Sequence, residues 1–325
     1  MPLNFLITLV IPILNEAESL PQLLNAIKSQ SYLPNEIIFS DAGSNDGSPV
    51  LIEDWWQREG WETTTCRVLS VPGAMPGAGR NAGIEAAKND WIAFIDGGVV
   101  PELNWLEELC LHLQASKGLA VFGVCHFSAE SAFSKAVCAL TYGHGSMHPV
   151  IPASLIARQV FCTIGYFPPY LRAGEDLIWV NALVAKYGDR EVCDSARVSY
   201  AHFPKSWWGV MQKWRVTELN CVLAGARTLQ QIAYIAIFLA MCGLTFFTGL
   251  GAFVSFLFYL VLRGVIDPMR RSVDKPWWGS RPSAILIAPL LGFVLDFAKF
   301  LGLVQGLAVK LFRRIVVRDE QHVDN

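Results

Sequence analysis

The stretch Trp91-Ile92-Ala93-Phe94-Ile95-Asp96-Gly97-Gly98 decides which fold we expect for this chain. Its apolar part predicts a buried parallel strand, which ends abruptly in a carboxylate and two glycines. In open α/β sheets, ligands bind at the carboxyl edge of the strands, and glycines there let a ligand approach the backbone. An ordinary tight turn after a strand has the same composition. The residues at the ends of the other strands therefore decide between a ligand site and a simple turn.

Outward from this stretch, predicted strands and helices alternate at least four times. We predict further strands over Phe5–Leu14, Glu36–Ser40, Cys66–Val71, Leu119–Phe127 and Asp194–His202. The segments between them carry apolar residues at helical spacing. This alternation predicts an α/β fold with a parallel, doubly wound sheet and right-handed crossovers.

Polar groups follow three of the predicted strands. Asn15-Glu16, Asp41 and Asp96 each come directly after an apolar run. The carboxyl ends of parallel strands lie at one edge of a sheet, so these groups are expected to converge there, where carboxylates need a bound cation or hydrogen-bond donors. Alternatively, each group caps the helix that follows it. A glycine-rich loop over residues 72–79 favours a ligand site over three separate caps.

The composition indicates a chain that is partly embedded in a membrane. Of its 325 residues, 53% are hydrophobic and only 17% are charged. The mean hydropathy is +0.36, which is high for a soluble enzyme. The formal net charge of −2 argues against a general nucleic-acid-binding protein. The eight cysteines form no C-x-x-C pair, which favours free thiols in a reducing compartment over a metal site.

Two apolar runs in the last third of the chain are the candidate membrane segments. Residues 232–262 contain no charged residue, and this run exceeds the about 20 residues that a spanning helix needs. In the second run, 284–311, Asp296 and Lys299 share a helix face and are predicted to pair. Two spanning helices would separate the basic residues between the runs from those that flank them. A hairpin followed by an interfacial helix keeps all of them cytoplasmic, and we favour that arrangement.

Five motifs, taken together, resemble glycosyltransferase family 2, the inverting enzymes of the GT-A fold. The motifs are Val10-Ile11-Pro12-Ile13-Leu14-Asn15-Glu16, similar to the opening strand and loop of the family; Asp41-Ala42-Gly43-Ser44-Asn45-Asp46-Gly47-Ser48, similar to D-x-x-S-x-D-x-[ST]; Gly79-Arg80-Asn81-Ala82-Gly83, similar to x-x-R-N-x-G; Ile95-Asp96-Gly97-Gly98, at the D-x-D position; and Gly174-Glu175-Asp176, similar to the E-D pair. They occur in the family's order along roughly the first 200 residues, and only the set is specific.

The resemblance implies a fold, a domain division and a reaction. The fold would be GT-A, a Rossmann-like, mostly parallel sheet flanked by helices, over residues 1–225. Residues 226–325 would form C-terminal hydrophobic membrane helices. The chain would be a non-processive glycosyltransferase of polysaccharide biosynthesis, attached to the cell (inner) membrane with its catalytic domain in the cytoplasm. It would move a sugar from a nucleotide-diphosphate sugar to a lipid-linked or polysaccharide acceptor.

The resemblance also implies roles for individual residues. Asp176 would be the general base, and Glu175 would orient the acceptor or tune its neighbour. The donor site would consist of Pro12, Asn15, Glu16, Asp41, Gly43, Asp46, Arg80, Asn81, Asp96 and Gly97. Asp41 would hold the base or ribose, and Asp96 would face the diphosphate through Mg²⁺ or Mn²⁺. His202, at the end of a predicted strand, would be a further metal ligand.

The sequence departs from the family pattern at two places. Gly98 stands where the second Asp of D-x-D is usual, which leaves one carboxylate at that position. The Q-x-x-R-W motif of processive synthases is absent. Aromatic and basic residues are interleaved nearby, and we interpret them as candidates for contact with the acceptor or its phosphate, or as a plain amphipathic helix. These candidates are Trp207, Trp208, Lys213, Trp214 and Arg215.

Two other classes of function stay open at the level of sequence. One is a non-catalytic, membrane-bound carbohydrate-binding or scaffold protein with a degenerate D-x-D site. The other is a dinucleotide-binding oxidoreductase, which the glycines at 77, 79 and 83 suggest. Those glycines do not follow the first strand, as the dinucleotide fingerprint requires, so we rank the oxidoreductase last.

Overall fold

The computed structural model describes residues 3–226, 229, 231–233, 236, 240, 243 and 249–323. The chain divides into two compact units. Unit 1 comprises Met1–Phe127, Met147–Leu171 and Glu175–His202, and unit 2 comprises Ser128–Ser146, Arg172–Gly174 and Phe203–Asn325. The division at residue 225 stays a prediction.

The described elements, in chain order, are as follows. The strands are β1 (Ile7–Ile13), β2 (Glu36–Asp41), β3 (Thr65–Ser70), β4 (Trp91–Phe94), β5 (Val100–Pro101), β6 (Ala120–Phe127), β7 (Met147–Ala157) and β8 (Glu191–Tyr200). The α-helices are α1 (Leu20–Lys28), α2 (Ser48–Glu59), α3 (Pro76–Ala86), α4 (Trp105–Ser116), α5 (Ala132–Thr141), α6 (Arg158–Ile164), α7 (Glu175–Tyr187), α8 (Trp207–Ala224), α9 (Gly249–Val261), α10 (Asp267–Arg271) and α11 (Ser283–Val323). A π-helical turn, Leu262–Ile266, joins α9 to α10.

Unit 1 is built on one sheet of eight strands in the order β3-β2-β1-β4-β7-β6-β8-β5. Strands β3, β2, β1 and β4 are parallel, as the alternating pattern predicts. The sheet is mixed beyond β4, because β7 runs antiparallel to both β4 and β6. The mostly parallel sheet that the resemblance implies is therefore present, but the simple parallel, doubly wound pattern does not extend beyond β4, and β7 was not predicted. That strand contains Pro149 and Pro152, which weaken a strand pattern.

The start of α4 also differs from the prediction. The apolar pattern predicts a helix from Pro101, whereas the helix begins at Trp105. Val100 and Pro101 instead pair with β8 as the short strand β5. Tertiary pairing thus overrides the helical pattern at this boundary.

The core of unit 1 lies against the parallel half of the sheet. In β1, six of seven residues are buried, because helices cover a parallel strand on both faces. An aromatic cluster then extends this core towards α7: the ring centroids of Phe167 and Trp179 are 4.9 Å apart, and those of Phe161 and Trp179 are 5.1 Å apart. Trp179 also donates its indole N–H to the carbonyl of Gly165 at 2.9 Å.

Unit 2 is helical, and α8 packs along α11. Two glycines of α11 make this close approach possible. A Cβ at Gly302 would lie 2.3 Å from the carbonyl oxygen of Arg215, and a Cβ at Gly306 would lie 2.7 Å from Cβ of Val222. Any larger residue at these positions would push the two helices apart.

Within the described residues, one helix segment is long and apolar enough to cross a membrane, namely Ser283–Phe312 of α11. Much of the other predicted run, 232–262, lies outside the described residues. The predicted pairing of Asp296 with Lys299 is present at 3.9 Å. Asp296 has a closer partner that was not predicted, since Nε of Arg263 lies 2.9 Å from its Oδ2.

Candidate active site

Arg80 lies at the centre of the candidate site, on α3. Its Nη1 donates to Oε1 of Glu175 at 2.8 Å, and its Nη2 donates to Oδ1 of Asp96 at 2.9 Å. The Arg80 side chain is only 5% exposed, so its charge needs these carboxylates. One guanidinium therefore fixes the carboxylate after β4 and the carboxylate at the start of α7 relative to each other.

The electrostatics around Arg80 are those of a buried charge cluster. Burial lowers the pKa of Arg80, but the nearby carboxylates of Asp96, Glu175 and Asp176 raise it by more than burial lowers it. The net shift of the pKa is therefore upward, and Arg80 stays a cation. Burial raises the pKa of the Glu175 carboxyl, and Arg80 opposes that shift. Among the described residues, Oε2 of Glu175 and Nε of Arg80 are buried without a hydrogen-bond partner. The cluster thus keeps an acceptor and a donor that its own side chains do not use.

Three glycines bring α3 close to the sheet and to the loop before α7. A Cβ at Gly83 would lie 2.3 Å from Cγ1 of Val10, and one at Gly77 would lie 2.4 Å from the carbonyl oxygen of Pro168. At Gly79 the nearest atom would be Cβ of Pro12, at 3.3 Å. The sequence predicts a glycine-rich loop over residues 72–79, whereas α3 begins at Pro76 and includes Gly77 and Gly79. They serve helix packing, which explains the spacing that faintly resembled a dinucleotide fingerprint.

Asn81 and Phe167 hold the loop that precedes α7. The amide of Asn81 donates to the carbonyl of Phe167 at 2.8 Å and accepts from its N–H at 3.0 Å. The Arg80 guanidinium carbon lies 5.6 Å from the centroid of the Phe167 ring. Both ends of the Asn81 amide are thus engaged by protein backbone, so the structure gives Asn81 a positioning contact. Its predicted role in donor binding stays a prediction.

Glu175 and Asp176 stand in different environments at the start of α7. Glu175 is buried, whereas Asp176 is partly exposed. Oδ1 of Asp176 accepts from the backbone N–H of Leu177 at 2.8 Å. The accessible carboxylate is therefore Asp176, and the carboxylate held by Arg80 is Glu175.

A second group of candidates joins the loop after β1 to the loop after β2. The backbone N–H of Asn15 donates to Oγ of Ser44 at 2.8 Å, and that of Ala17 donates to Oδ2 of Asp46 at 2.9 Å. The hydrogen bond from the Ser48 hydroxyl, followed by that from the Ala17 N–H, holds the pKa of Asp46 below its usual value. Ser44 and Ser48 were not among the predicted site residues, although the D-x-x-S-x-D-x-[ST] motif contains both.

The Asp41 carboxylate is buried at the end of β2. It accepts from the backbone N–H of Ser44 at 3.0 Å and from its hydroxyl at 2.6 Å. Gly43 has a φ of +98°, which an L-residue rarely adopts, so glycine permits the turn that aims this loop. Ile13 pairs with Asp41 and Val10 pairs with Phe94, so the ends of β2, β1 and β4 are neighbours in the sheet. Neighbouring strands lie about 4.8 Å apart, which brings these loops to one edge.

The side chains of Glu16 and His202 lie beside Gly98, which stands where the second Asp of D-x-D is usual. A Cβ at Gly98 would lie 3.8 Å from Cδ2 of His202 and 3.9 Å from Oε2 of Glu16. At Gly97, a Cβ would lie only 2.8 Å from Cγ of Glu16, so that position requires glycine. Among the described residues there is no group of three or more His, Cys, Asp or Glu arranged to hold a metal ion.

The aromatic and basic candidates belong to α8 in unit 2. Trp214 is buried, and Arg215 donates to the side chains of Gln305 and Gln212 at 3.1 and 2.7 Å. Burial lowers the pKa of Lys213. Trp207 packs edge-on against Phe133, whereas Trp208 is 69% exposed. Most of this stretch is therefore engaged in packing, and Trp208 offers the most accessible surface.

Residues 8–164 match the sequence model of the family described as glycosyl transferase family 2. This segment of the chain is therefore similar to family 2 glycosyltransferases. The matched segment contains Arg80, Asp96 and the loops after β1 and β2, whereas Glu175, Asp176 and His202 lie beyond it.

Two curated relatives of the family 2 domain are also glycosyltransferases by name. Glycosyltransferase AglE of Haloferax volcanii is 26% identical over 191 residues, a match to 54% of this chain and 60% of that protein. Pre-mycofactocin glycosyltransferase of Mycobacterium tuberculosis is 25% identical over 189 residues, which cover 53% of this chain and 37% of that protein. The chain thus spans less than two thirds of the length of these relatives.

A solved structure confirms the fold of the family 2 domain. The mannosyltransferase PcManGT from Pyrobaculum calidifontis, in complex with GDP-Man and Mn²⁺, superimposes with a TM-score of 0.56 and 15% sequence identity. The comparison covers 88% of this chain and 86% of that one. The predicted GT-A class, a sheet flanked by helices with an apolar helix towards the C-terminus, is therefore confirmed.

Proposed function

We propose that this chain is a membrane-attached, inverting, non-processive glycosyltransferase. It transfers a sugar from a nucleoside diphosphate to a hydroxyl group of a lipid-linked or glycan acceptor. The observation that carries this proposal is the contact of Arg80 with both Asp96 and Glu175, beside the accessible Asp176. The names of the curated relatives and the GDP-Man in PcManGT support the donor class.

The donor would bind along the neighbouring strand ends. We assign the nucleoside to the loops after β1 and β2, where Asn15, Glu16, Asp41 and Asp46 lie. We assign the diphosphate to the end of β4, where Asp96 and Arg80 lie.

A divalent cation fits the residues at this edge. Asp96 is 38% exposed, and only its Oδ1 is taken by Arg80. Mg²⁺ and Mn²⁺ in nucleotide sites commonly bind one or two carboxylates together with phosphate oxygens and water. Asp96 and His202 would hold the cation here, with Glu16 close by. When bound, the cation neutralises negative charge on the departing diphosphate.

Asp176 would take the proton of the acceptor hydroxyl. The hydroxyl oxygen then bonds to the anomeric carbon as the bond from that carbon to the diphosphate breaks, and the nucleoside diphosphate leaves with the electron pair. A single displacement of this kind inverts the anomeric centre and needs one base and no nucleophilic side chain. Glu175 stays paired with Arg80 and fixes the start of α7.

Membrane attachment is supported by the exposed side of α11. Large apolar side chains are exposed along this helix, whereas another set of its residues is buried, namely Ala284, Ala288, Leu291, Leu295, Ala298 and Leu303. The exposed residues are Leu286, Leu290, Phe293, Phe297, Val304, Leu307 and Leu311. A continuous apolar stripe of this length is costly in water and is stabilised by lipid. We place the catalytic domain on the cytoplasmic side, where nucleotide sugars are made.

A binding screen tests the proposal on the full chain in detergent. The unfolding temperature is measured with a panel of UDP, GDP and dTDP sugars, in the presence of Mn²⁺, Mg²⁺ or EDTA. We expect one donor to raise it, since a ligand at 100 times its Kd stabilises the folded state by about 2.7 kcal/mol. Asp96→Ala should reduce the shift, and Asp90→Ala, at the other end of β4, is the matched control. A panel in which no nucleotide sugar changes the unfolding temperature would overturn the proposal.

A further inference from the structure

A cavity of about 330 Å³ lies in unit 2, and none of the residues assigned to the donor lines it. It is lined by Ser128, Ala129, Glu130, Lys135, His144, Ser280 and Arg281. This volume falls at the lower end of the about 300–1,000 Å³ that is typical of small-molecule sites. Its lining is mostly charged or hydroxylic, which is unusual for a site that binds apolar ligands.

The loop Gly143-His144-Gly145 is built to bring His144 to the segment that precedes α11. Gly143 and Gly145 have φ values of +92° and +74°. A Cβ at Gly143 would lie 2.3 Å from the carbonyl oxygen of Arg271, and one at Gly145 would lie 2.5 Å from the carboxylate of Asp274. Both glycines are therefore required by conformation and by space.

His144 is held in the cavity wall by two acceptors. Its Nδ1 lies 2.8 Å from Oδ2 of Asp274, and its Nε2 lies 3.3 Å from the carbonyl oxygen of Ala129. Both ring nitrogens thus face an oxygen atom, and the two contacts fix the orientation of the imidazole ring. His144 therefore forms a fixed part of the cavity wall.

The cations that face the cavity are Lys135 and Arg281. Neither forms a side-chain ion pair with any residue in the described part of the chain. Cβ of a residue at Gly279 would lie 3.5 Å from Nζ of Lys135, which brings the loop that carries Ser280 and Arg281 next to that amine. Two cations that line one concave site are a common arrangement for binding phosphate.

We propose that this cavity binds a phosphorylated sugar. Lys135 and Arg281 bind the phosphate, while Glu130 accepts hydrogen bonds from sugar hydroxyls, and Ser128 and Ser280 contribute hydroxyl groups. Glu130 would repel a bare phosphate ion, so the mixed lining favours a ligand that carries both groups. The ligand is either a free sugar phosphate or a sugar phosphate attached to a lipid, because both present the same chemistry to the cavity.

Calorimetric titration of the full chain in detergent tests this proposal. The probes are glucose 1-phosphate, its dodecyl phosphodiester, glucose and inorganic phosphate. The test variant is Lys135→Met with Arg281→Gln, and the matched control is Lys186→Met with Arg190→Gln, an exposed pair in unit 1. We expect the test variant to bind the phosphosugars at least about tenfold more weakly, since each charged hydrogen bond contributes a factor of this size. Tighter binding of the phosphodiester would identify the lipid-linked form.

Two further comparisons make the proposal falsifiable. Glu130→Gln should weaken binding of glucose 1-phosphate and leave inorganic phosphate unaffected or bound more tightly. Equal binding of glucose 1-phosphate by the wild type and the test variant would overturn the proposal and place the ligand elsewhere, such as the donor site. Failure of the wild type to bind any of these phosphates would overturn it as well. The test measures binding and not transfer activity. The proposal for this cavity can therefore fail while the proposed glycosyltransferase function stands.

Discussion

Nη1 of Arg80 lies 2.8 Å from Oε1 of Glu175, and both side chains are almost fully buried. This pair joins α3 to the first residue of α7, 95 positions further along the chain. The second guanidinium nitrogen reaches Asp96, so the pair also connects both helices to the end of β4. The accessible carboxylate of Asp176 is thereby fixed beside the proposed diphosphate position.

Arg80→Met should destabilise unit 1 strongly. It leaves Glu175 buried without its cation, and loss of one partner of a buried pair costs about 3–5 kcal/mol. Denaturant unfolding measures the change, and Arg190→Met, at an exposed arginine, should stay within about 0.5 kcal/mol of the wild type. The double variant Arg80→Met with Glu175→Gln should recover part of the loss. Equal stability of Arg80→Met and Arg190→Met would contradict this assignment.

Restoring the second carboxylate should strengthen metal binding. The nearest atoms to a Cβ at position 98 would belong to the His202 and Glu16 side chains, at 3.8 Å or more, so the first atom of an Asp side chain has room there. With the donor's nucleoside diphosphate present, we expect Mn²⁺ to bind at least about tenfold more tightly to Gly98→Asp, a change of about 1.4 kcal/mol. A Mn²⁺ titration followed by electron paramagnetic resonance measures this. Unchanged affinity in Gly98→Asp would place the cation away from this edge.

Gly83→Ala should destabilise the chain although alanine favours helices. Alanine gains about 1 kcal/mol over glycine in a helix interior, whereas overpacking costs about 1–3 kcal/mol. The new Cβ would lie 2.3 Å from Val10, so the packing cost should prevail. Val10→Ala in the same background should relieve it, which makes the double variant more stable than the sum of the single changes predicts. Strict additivity of the two changes would show that α3 does not press on β1.

Asp296→Ala should cost more stability than Tyr259→Phe. Asp296 accepts from Arg263 and from the Tyr259 hydroxyl, both at 2.9 Å. Arg263 keeps Asp267 as a second partner when Asp296 is removed. We therefore expect Asp296→Ala to lower the free energy of unfolding by about 1–3 kcal/mol, and Tyr259→Phe to lower it by about 1 kcal/mol. Thermal unfolding in one detergent compares the two variants. Equal losses would show that Arg263 depends on Asp267 alone.

The sequence predicts those parts of the molecule that follow from local patterns. The apolar runs of β1, β2 and β4 are buried parallel strands, and the polar residues after them meet at one edge. These features depend on the strong periodicity and turn chemistry of a few consecutive residues.

Features that depend on distant contacts were not predictable in this way. Strand β7 contains two prolines, yet pairs on both sides because β4 and β6 present their edges to it. The Arg80–Glu175 pair depends on how the cluster of Phe167 and Trp179 positions α7, and neither residue belongs to a motif. The cavity wall at His144 similarly depends on a contact with Asp274, 130 positions away.

Release of nucleoside diphosphate by Asp176→Asn tests the central claim most directly. The measurement uses the full chain, the donor identified by the binding screen and Asp189→Asn, an exposed carboxylate after α7, as the control. Loss of a general base typically lowers turnover by about 10²–10⁴-fold. We predict a loss in this range for Asp176→Asn, with donor affinity within about twofold of the wild type and an unchanged control. Turnover by Asp176→Asn equal to that of the wild type would contradict the assignment of Asp176 as the base.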